Sequence, residues 1–192
     1  MINSAAKSFI EYLTSVSPLS AGAIHDIESC ISILEVPKKE VFIADLGKSK
    51  YLYFIAKGIV RAYFSHDGKE ITDWFGMENM VIGPVIRQFP VKDTPHRVEA
   101  LEDGVFVRVS FADLDKLYQR HHEVERLGRL IAIHTMLHLQ YKIDCLQLYG
   151  ARERYADFLV RYPDLINRVA LGFIASFLGM NQVTLSRIRR QQ

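Results

Sequence analysis

Near the end of the 192-residue chain, Arg187, Arg189 and Arg190 fall within one helical turn, preceded by Gln182, Val183, Thr184 and Ser186. A guanidinium keeps its charge at any physiological pH and presents N–H donors in a planar fork, which matches phosphate oxygens or the O6 and N7 acceptors of guanine. Glutamine can read adenine or hold a phosphate, and valine offers a surface for a thymine methyl. These side chains suit recognition of a nucleic acid rather than bond-making. The charge is also segregated: residues 165–192 hold four arginines and no acidic residue, giving +4, while the rest of the chain carries a net −2. A terminal helical hairpin with merely solvated arginines does not account for that segregation, whereas a polyanionic partner does.

Two short helices at an angle would position the group. Ile174, Ala175 and Leu178 are spaced for a first helix, Gly179-Met180-Asn181 for a tight turn, and Leu185 and Ile188 for the inner face of a second helix. Ala175 is small enough for a close helix crossing, Gly179 is free to take positive φ, and Asn181 can cap the second helix. At about 100° per residue, Val183, Ser186, Arg187 and Arg190 then face outward with Gln182 at their flank. The pattern is a helix-turn-helix.

The chain as a whole is of ordinary globular composition, 49% hydrophobic and 24% charged, and is long enough to bury a core without cross-links. Cys30 and Cys145 are far apart and match no close-spaced metal pattern, which favours buried thiols in a reducing compartment and no disulfide. Residues 1–13 lack a basic start, an apolar block and a cleavage site, and no apolar run approaches the roughly 20 residues of a membrane span, so a cytoplasmic location is expected.

Phe9, Ile10, Leu13 and Val16 predict one helix over 4–16, and Ile24, Ile27 and Ile31 a second over 20–30. Between 33 and 110 the period changes to short β-rich runs: Leu34–Val36, Glu40–Ile43, Tyr51–Ala56, Ile59–Ser65, Glu70–Phe75, Arg97–Leu101 and Val105–Val109. Asp67-Gly68 marks a hairpin. Such runs predict an antiparallel β-roll or jelly roll. Phe111–Arg120 predicts a short helix, and His122 to about Tyr149 one of roughly seven turns.

That long helix carries two seams. Leu127, Ile131, His134, His138, Tyr141, Cys145 and Leu148 alternate by four and three, and Ala132, Met136, Leu139, Ile143 and Leu146 form a second row. Two apolar rows imply two partners, one the chain's own roll and the other the same helix of a second subunit, with Leu127, Ile131, His134, His138 and Tyr141 expected on the dimer side. Gly150 interrupts the helix, Ala151–Arg161 begins another, and Pro163 stops it. The class is therefore α+β in three parts: a roll domain over 1–121, a dimerisation helix over 122–149 and a helix-turn-helix domain over 150–192, with no full β-hairpin wing after it.

This order of parts resembles the Crp/Fnr family of bacterial transcription regulators, the short-winged branch common in Bacteroidetes in particular. The resemblance rests on Ala151-Arg-Glu-Arg-Tyr-Ala-Asp-Phe-Leu-Val-Arg-Tyr-Pro163, on Phe173–Arg190, on Tyr53–Arg61 with its turn at Lys57-Gly58, and on Asp67-Gly-Lys-Glu70. It implies a homodimer that binds a pseudo-palindrome in double-stranded DNA, with RNA polymerase among its partners, no enzymatic activity and no membrane. The family's reading helix falls on Gln182, Thr184, Ser186 and Arg187, with Arg187 the base contact. Arg189 and Arg190 would grip phosphates, which position without specifying sequence.

The effector site departs from the family pattern. Members that bind cyclic AMP hold the ribose with a Gly-Glu pair and the cyclic phosphate with an Arg-Ser pair. Here Pro84 stands at the glutamate and Thr94-Pro95 at the Arg-Ser pair, so the phosphate would be buried without its counter-charge and cyclic AMP is not expected. The implied pocket positions are Gly83, Arg87, Thr94 and Arg97, with Leu139 and Gln140 of the long helix. Arg87, Lys92 and Arg97 could take another small anion, so the effector stays unidentified and no cofactor is expected.

Other readings meet specific obstacles. A four-cysteine iron–sulfur cluster needs more than the two cysteines present. A cupin-like metal enzyme needs closely spaced histidines on the roll, where only His66 and His96 occur. His134 and His138 at i, i+4 could bind metal across a dimer seam, but polar seam residues more often set register. A small-anion sensor with weak DNA binding and a protein-binding adaptor remain as alternatives.

Overall fold

The computed structural model describes residues 2–83 and 95–191. Helix α1 (Ile2–Val16) and helix α2 (Ala21–Cys30) open the chain, broken at Ser17-Pro18 where proline cannot continue a helical ladder. The Ser20 hydroxyl caps α2 by accepting from the Ala23 N–H. It also donates to Glu123, whose carboxylate accepts the Ser20 N–H at 2.9 Å. Ile31, expected on the helix with Ile24 and Ile27, instead begins strand β1 (Ile31–Val36), where its β-branched side chain suits a pleated surface.

The expected runs become β1, β2 (Val41–Ile43), β3 (Tyr51–Lys57), β4 (Val60–His66), β5 (Lys69–Gly76), β7 (Arg97–Ala100) and β8 (Gly104–Ser110). Strand β6 (Val81–Ile82) has no counterpart among them; two residues carry no pattern, and it is defined only by pairing with Tyr53 and Phe54. One sheet has the order β1-β8-β3-β6 and the other β2-β7-β4-β5. Asp67 and Gly68, at φ 49° and 73°, make the turn between β4 and β5 with both central residues left-handed, as a tight hairpin requires.

Helix α3 (Phe111–Arg120) starts at Ser110, whose hydroxyl accepts from the Asp113 N–H, and helix α4 (His122–Leu148) follows after His121. Phe54 of β3 points out of the first sheet into a core shared with α1 to α4, where its ring meets Phe9 at 5.2 Å and Tyr12 at 5.3 Å. Val124 and Leu127 of α4 belong to that core. His121 is half-buried with a ring nitrogen 2.8 Å from Asp26.

The described residues divide into two compact units. The first holds the chain up to Ala62 together with Phe75–His134; the second holds Tyr63–Trp74 and everything from Thr135 onward. Helices α5 (Ala151–Arg161), α6 (Leu165–Arg168), α7 (Leu171–Phe177) and α8 (Gln182–Arg189) lie in the second. Cys30 and Cys145 are free thiols, half-buried rather than fully buried. Among the described residues no helix is long and apolar enough to cross a membrane.

Hydrogen bonds hold three carboxyls of the first unit below the usual carboxylate range: Asp26 through His121 and Arg120, Asp113 through Ser110 and Lys116, and Glu123 through Ser20. A carboxyl with a depressed folded-state pKa contributes stability above its unfolded value of about 4 and loses it as pH falls toward the folded value. Urea midpoints should therefore hold steady from pH 7 to about 5 and fall below that. Glu123→Gln should lower the neutral midpoint and make the acid fall shallower; an unchanged acid limb would mean that the link to Ser20 contributes nothing.

Candidate nucleic-acid interface

Helices α7 and α8 form the predicted helix-turn-helix, and each turn residue has the predicted role. Gly179 has φ 65°. The Met180 N–H donates to the Ala175 carbonyl at 3.0 Å and the Gly179 N–H to the Ser176 carbonyl at 3.1 Å, a Schellman closure that satisfies the last carbonyls of α7. The Asn181 side chain then accepts from the Thr184 N–H at 2.8 Å and caps α8. Helices α7 and α8 pack together, and Ile174, Ala175, Leu178, Leu185 and Ile188 are all buried.

Helix α5 supplies the floor. Tyr155, Phe158 and, from α6, Leu165 are buried, and the Phe158 ring stands 5.9 Å from Phe177 and 5.3 Å from Tyr162. Arg154 acts as a clamp: its Nε donates to the Leu178 carbonyl at 2.8 Å and its Nη1 to the Tyr149 carbonyl at 2.7 Å. One guanidinium thereby ties the end of α4 to the turn before α8. The sequence holds no signal for this role, because both acceptors are main-chain oxygens that any residue type provides.

With Leu185 and Ile188 turned inward, Gln182, Val183, Arg187, Arg189 and Arg190 are exposed and Thr184 and Ser186 half-buried. Val183 is 61% exposed on a helix whose inner Leu185 is fully buried. Gln182 leans toward the start of α7, where Gly172 leaves it room; a Cβ there would stand 3.2 Å from its Oε1. The surface is a row of long donors around one exposed apolar residue, on a helix with no acidic side chain.

The residues expected to line a dimer seam are divided. Leu127 is buried in the chain's own core and Ile131 rests against it. Tyr141 is engaged by α5: its hydroxyl donates to Asp157, and the Arg161 guanidinium lies 3.4 Å from its ring centroid. Desolvation first, and then the bond to Asp157, push that phenol well above its ordinary range. His134 and His138 are exposed, and among the described residues no group of three or more His, Cys, Asp or Glu could hold a metal. The second row behaves uniformly: Ala132, Met136, Leu139, Ile143 and Leu146 are all exposed.

Of the effector-pocket positions, Arg87 and Thr94 lie outside the described residues, as do Pro84 and Lys92. Gly83 follows β6 and Arg97 opens β7 with its side chain exposed. Leu139 is exposed on α4, and Gln140 donates to Asp144 of the same helix at 2.9 Å. The two roll positions and the two helix positions fall in different units.

No family model and no curated protein sequence matches the chain. Solved structures do. FixK2 from Bradyrhizobium japonicum superposes with a TM-score of 0.73 at 22% identity, covering 84% of this chain and 83% of that one. A transcriptional regulator assigned to the Crp/Fnr family from Eubacterium rectale gives 0.70 at 16% identity over 92% and 87%. The c-di-GMP-responsive global regulator CLP from Xanthomonas campestris gives 0.67 at 16% identity over 90% and 91%. The fold is that of the Crp/Fnr regulators. Roll, long helix and helix-turn-helix occur here in the order that the motifs imply.

Gly179 and Asn181 offer a direct check of the turn. Gly179→Ala forces an L residue into left-handed backbone, with a Cβ 3.1 Å from Leu146, and should cost about 1–2 kcal/mol. Asn181→Ala should cost about 1 kcal/mol and Asn181→Asp much less, since aspartate also caps. Thermal unfolding of the three variants measures both; an Asn181→Ala protein as stable as wild type would remove the cap from the account.

Proposed function

We propose that the chain is a transcription regulator of the Crp/Fnr type, not an enzyme, which reads double-stranded DNA with α8 as a homodimer. The observation that carries the reading is the outward face of α8, where Gln182, Val183, Arg187 and Arg190 are exposed around a buried Leu185 on a helix free of acidic residues. Arg187 is the base contact, forking to guanine O6 and N7, and Gln182 and Val183 flank it. Arg189 and Arg190 meet phosphates. Residues 150–192 form the DNA-binding domain, 122–149 the dimerisation helix and 1–121 the roll that senses an effector.

The second seam of α4 is the dimer contact. Met136, Leu139, Ile143 and Leu146 are between 42% and 59% exposed at alternating spacings of three and four, a row that a left-handed helix pair would bury. CLP shows that a protein of this fold can respond to a nucleotide second messenger. In this chain Pro84 and Thr94 replace the groups that would meet a cyclic AMP ribose and phosphate, so its roll answers to something else. RNA polymerase is the natural further partner of a regulator placed at a promoter.

Selection of duplexes from a random pool should return a pseudo-palindrome with half-sites about 34 Å apart. Arg187→Ala should weaken binding to that site by about 1–3 kcal/mol and relax one base position. Equal loss on every sequence would make Arg187 a phosphate contact, and no enrichment at all would sink the DNA reading. Independently, wild type should sediment at twice the 22.1 kDa protomer mass and Ile143→Glu at once that mass; a variant that stays dimeric would move the interface off the second seam.

A further inference from the structure

Within the second compact unit, the C-terminal half of α4, helix α5 and the end of α7 enclose a cleft of about 440 Å³, measured out to its open mouth. On one side stand Tyr141, Cys145 and Leu146 of α4. On the other, Phe158 and Tyr162 of α5 and Phe177 of α7 pack ring against ring, with centroids 5.3, 5.9 and 6.1 Å apart. Three rings that share their contacts in this way make a firm apolar wall. Burial raises the phenols of Tyr141 and Tyr162 above their ordinary range, as it does where water is scarce.

The cations of the lining are not equivalent. Lys142 meets the Asp73 carboxylate at 2.7 Å, and Arg161 meets that of Asp157 at 3.3 Å. Arg154 instead donates its Nε to the Leu178 carbonyl and its Nη1 to the Tyr149 carbonyl. A carbonyl is neutral, so these bonds fix the guanidinium in place without cancelling its charge. Among the described residues Nη2 is then the nitrogen left for a ligand. An apolar cleft of this size with one fixed cation at its edge has the make-up of a small-molecule site.

We propose that the cleft binds a compact aliphatic monocarboxylate, with its chain against Phe158, Tyr162 and Phe177 and its carboxylate on Arg154. Charge complementarity selects the head: one cation that no carboxylate of the chain meets calls for one anionic group. The wall selects the body. Rings and Leu146 offer contact without direction, so a chain free of hydroxyls fits where a sugar or a nucleotide would leave donors unmet. The site lies apart from the outward face of α8 and goes beyond the DNA reading.

The test titrates full-length protein with hexanoate, hexanol and acetate and follows the ligands by NMR. Hexanoate should bind with a Kd of about 1 mM or tighter, within reach of so small a ligand, and hexanol and acetate about tenfold more weakly. Arg154→Gln should lower hexanoate affinity about tenfold and leave hexanol where it was, whereas Arg154→Lys should keep most of the hexanoate affinity. Misfolding cannot produce that pattern, since it would take acid and alcohol together. Cys145→Phe, which fills the cleft, should abolish binding of both while its melting temperature shows a folded protein. Wild type that binds no hexanoate, equal affinities for hexanoate and hexanol, an Arg154→Gln protein that holds hexanoate as wild type does, or undiminished binding to Cys145→Phe would each overturn the proposal. No duplex enters the measurement, so its outcome is independent of the DNA reading.

Discussion

Helix α8 has eight residues, fewer than the roughly 12–15 at which an isolated helix becomes even marginally stable in water. Its shape therefore depends on docking, and the docking depends on burying Leu185 and Ile188 against Ala175 and the floor of α5. Everything on the outward face inherits its direction from that contact. Asn181 supplies the cap that starts the helix, and the Schellman closure at Gly179 sets the angle at which it leaves α7. The exposed arginines are long and flexible, so the precision of the surface lies in the backbone beneath them.

The long helix obeys a related constraint with a different outcome. A helix that is apolar on two sides must bury both or find a partner for one. In α4 part of the first row is used within the chain, by Leu127 and Ile131 in the first core and by Tyr141 with Asp157 and Arg161 in the second unit. The second row is left exposed along its length. Each of the two compact units thus takes part of the first row.

Much of this was legible in the residues, for identifiable reasons. The strand runs and the Asp67-Gly68 turn were readable because β-branched and aromatic residues alternate between turn pairs, and the outward face of α8 because Leu185 and Ile188 fix its phase. Strand β6 was not, since two residues have no period, and Ile31 was misplaced because an isoleucine at helical spacing can equally open a strand. The two rows of α4 were visible but not their fates, which depend on what stands opposite Leu127 and Tyr141. Arg154 and Lys142 escaped notice for a common reason. Each acts through main-chain carbonyls or through a residue distant in sequence, as Lys142 does with Asp73 at a separation of 69, and local pattern contains neither.

On the proposed DNA reading, affinity cannot come from α8 alone. Phosphate contacts release counterions and dominate the strength of such complexes, and the two exposed arginines of one α8 with Arg190 at its C-cap would supply few of them. In the proposed homodimer, a second copy held by the exposed row of α4 would double the count and convert the second contact into an intramolecular one, raising affinity steeply without any new kind of interaction. The same geometry makes the angle of each α8 matter more. A small tilt of one helix within a protomer is tolerable, but in the proposed dimer two helices would have to meet half-sites at a fixed spacing, and an error in each would compound. Contacts that fix direction near the turn, such as those of Arg154 on Leu178 and of Ser176 on Thr72, therefore carry weight out of proportion to their number.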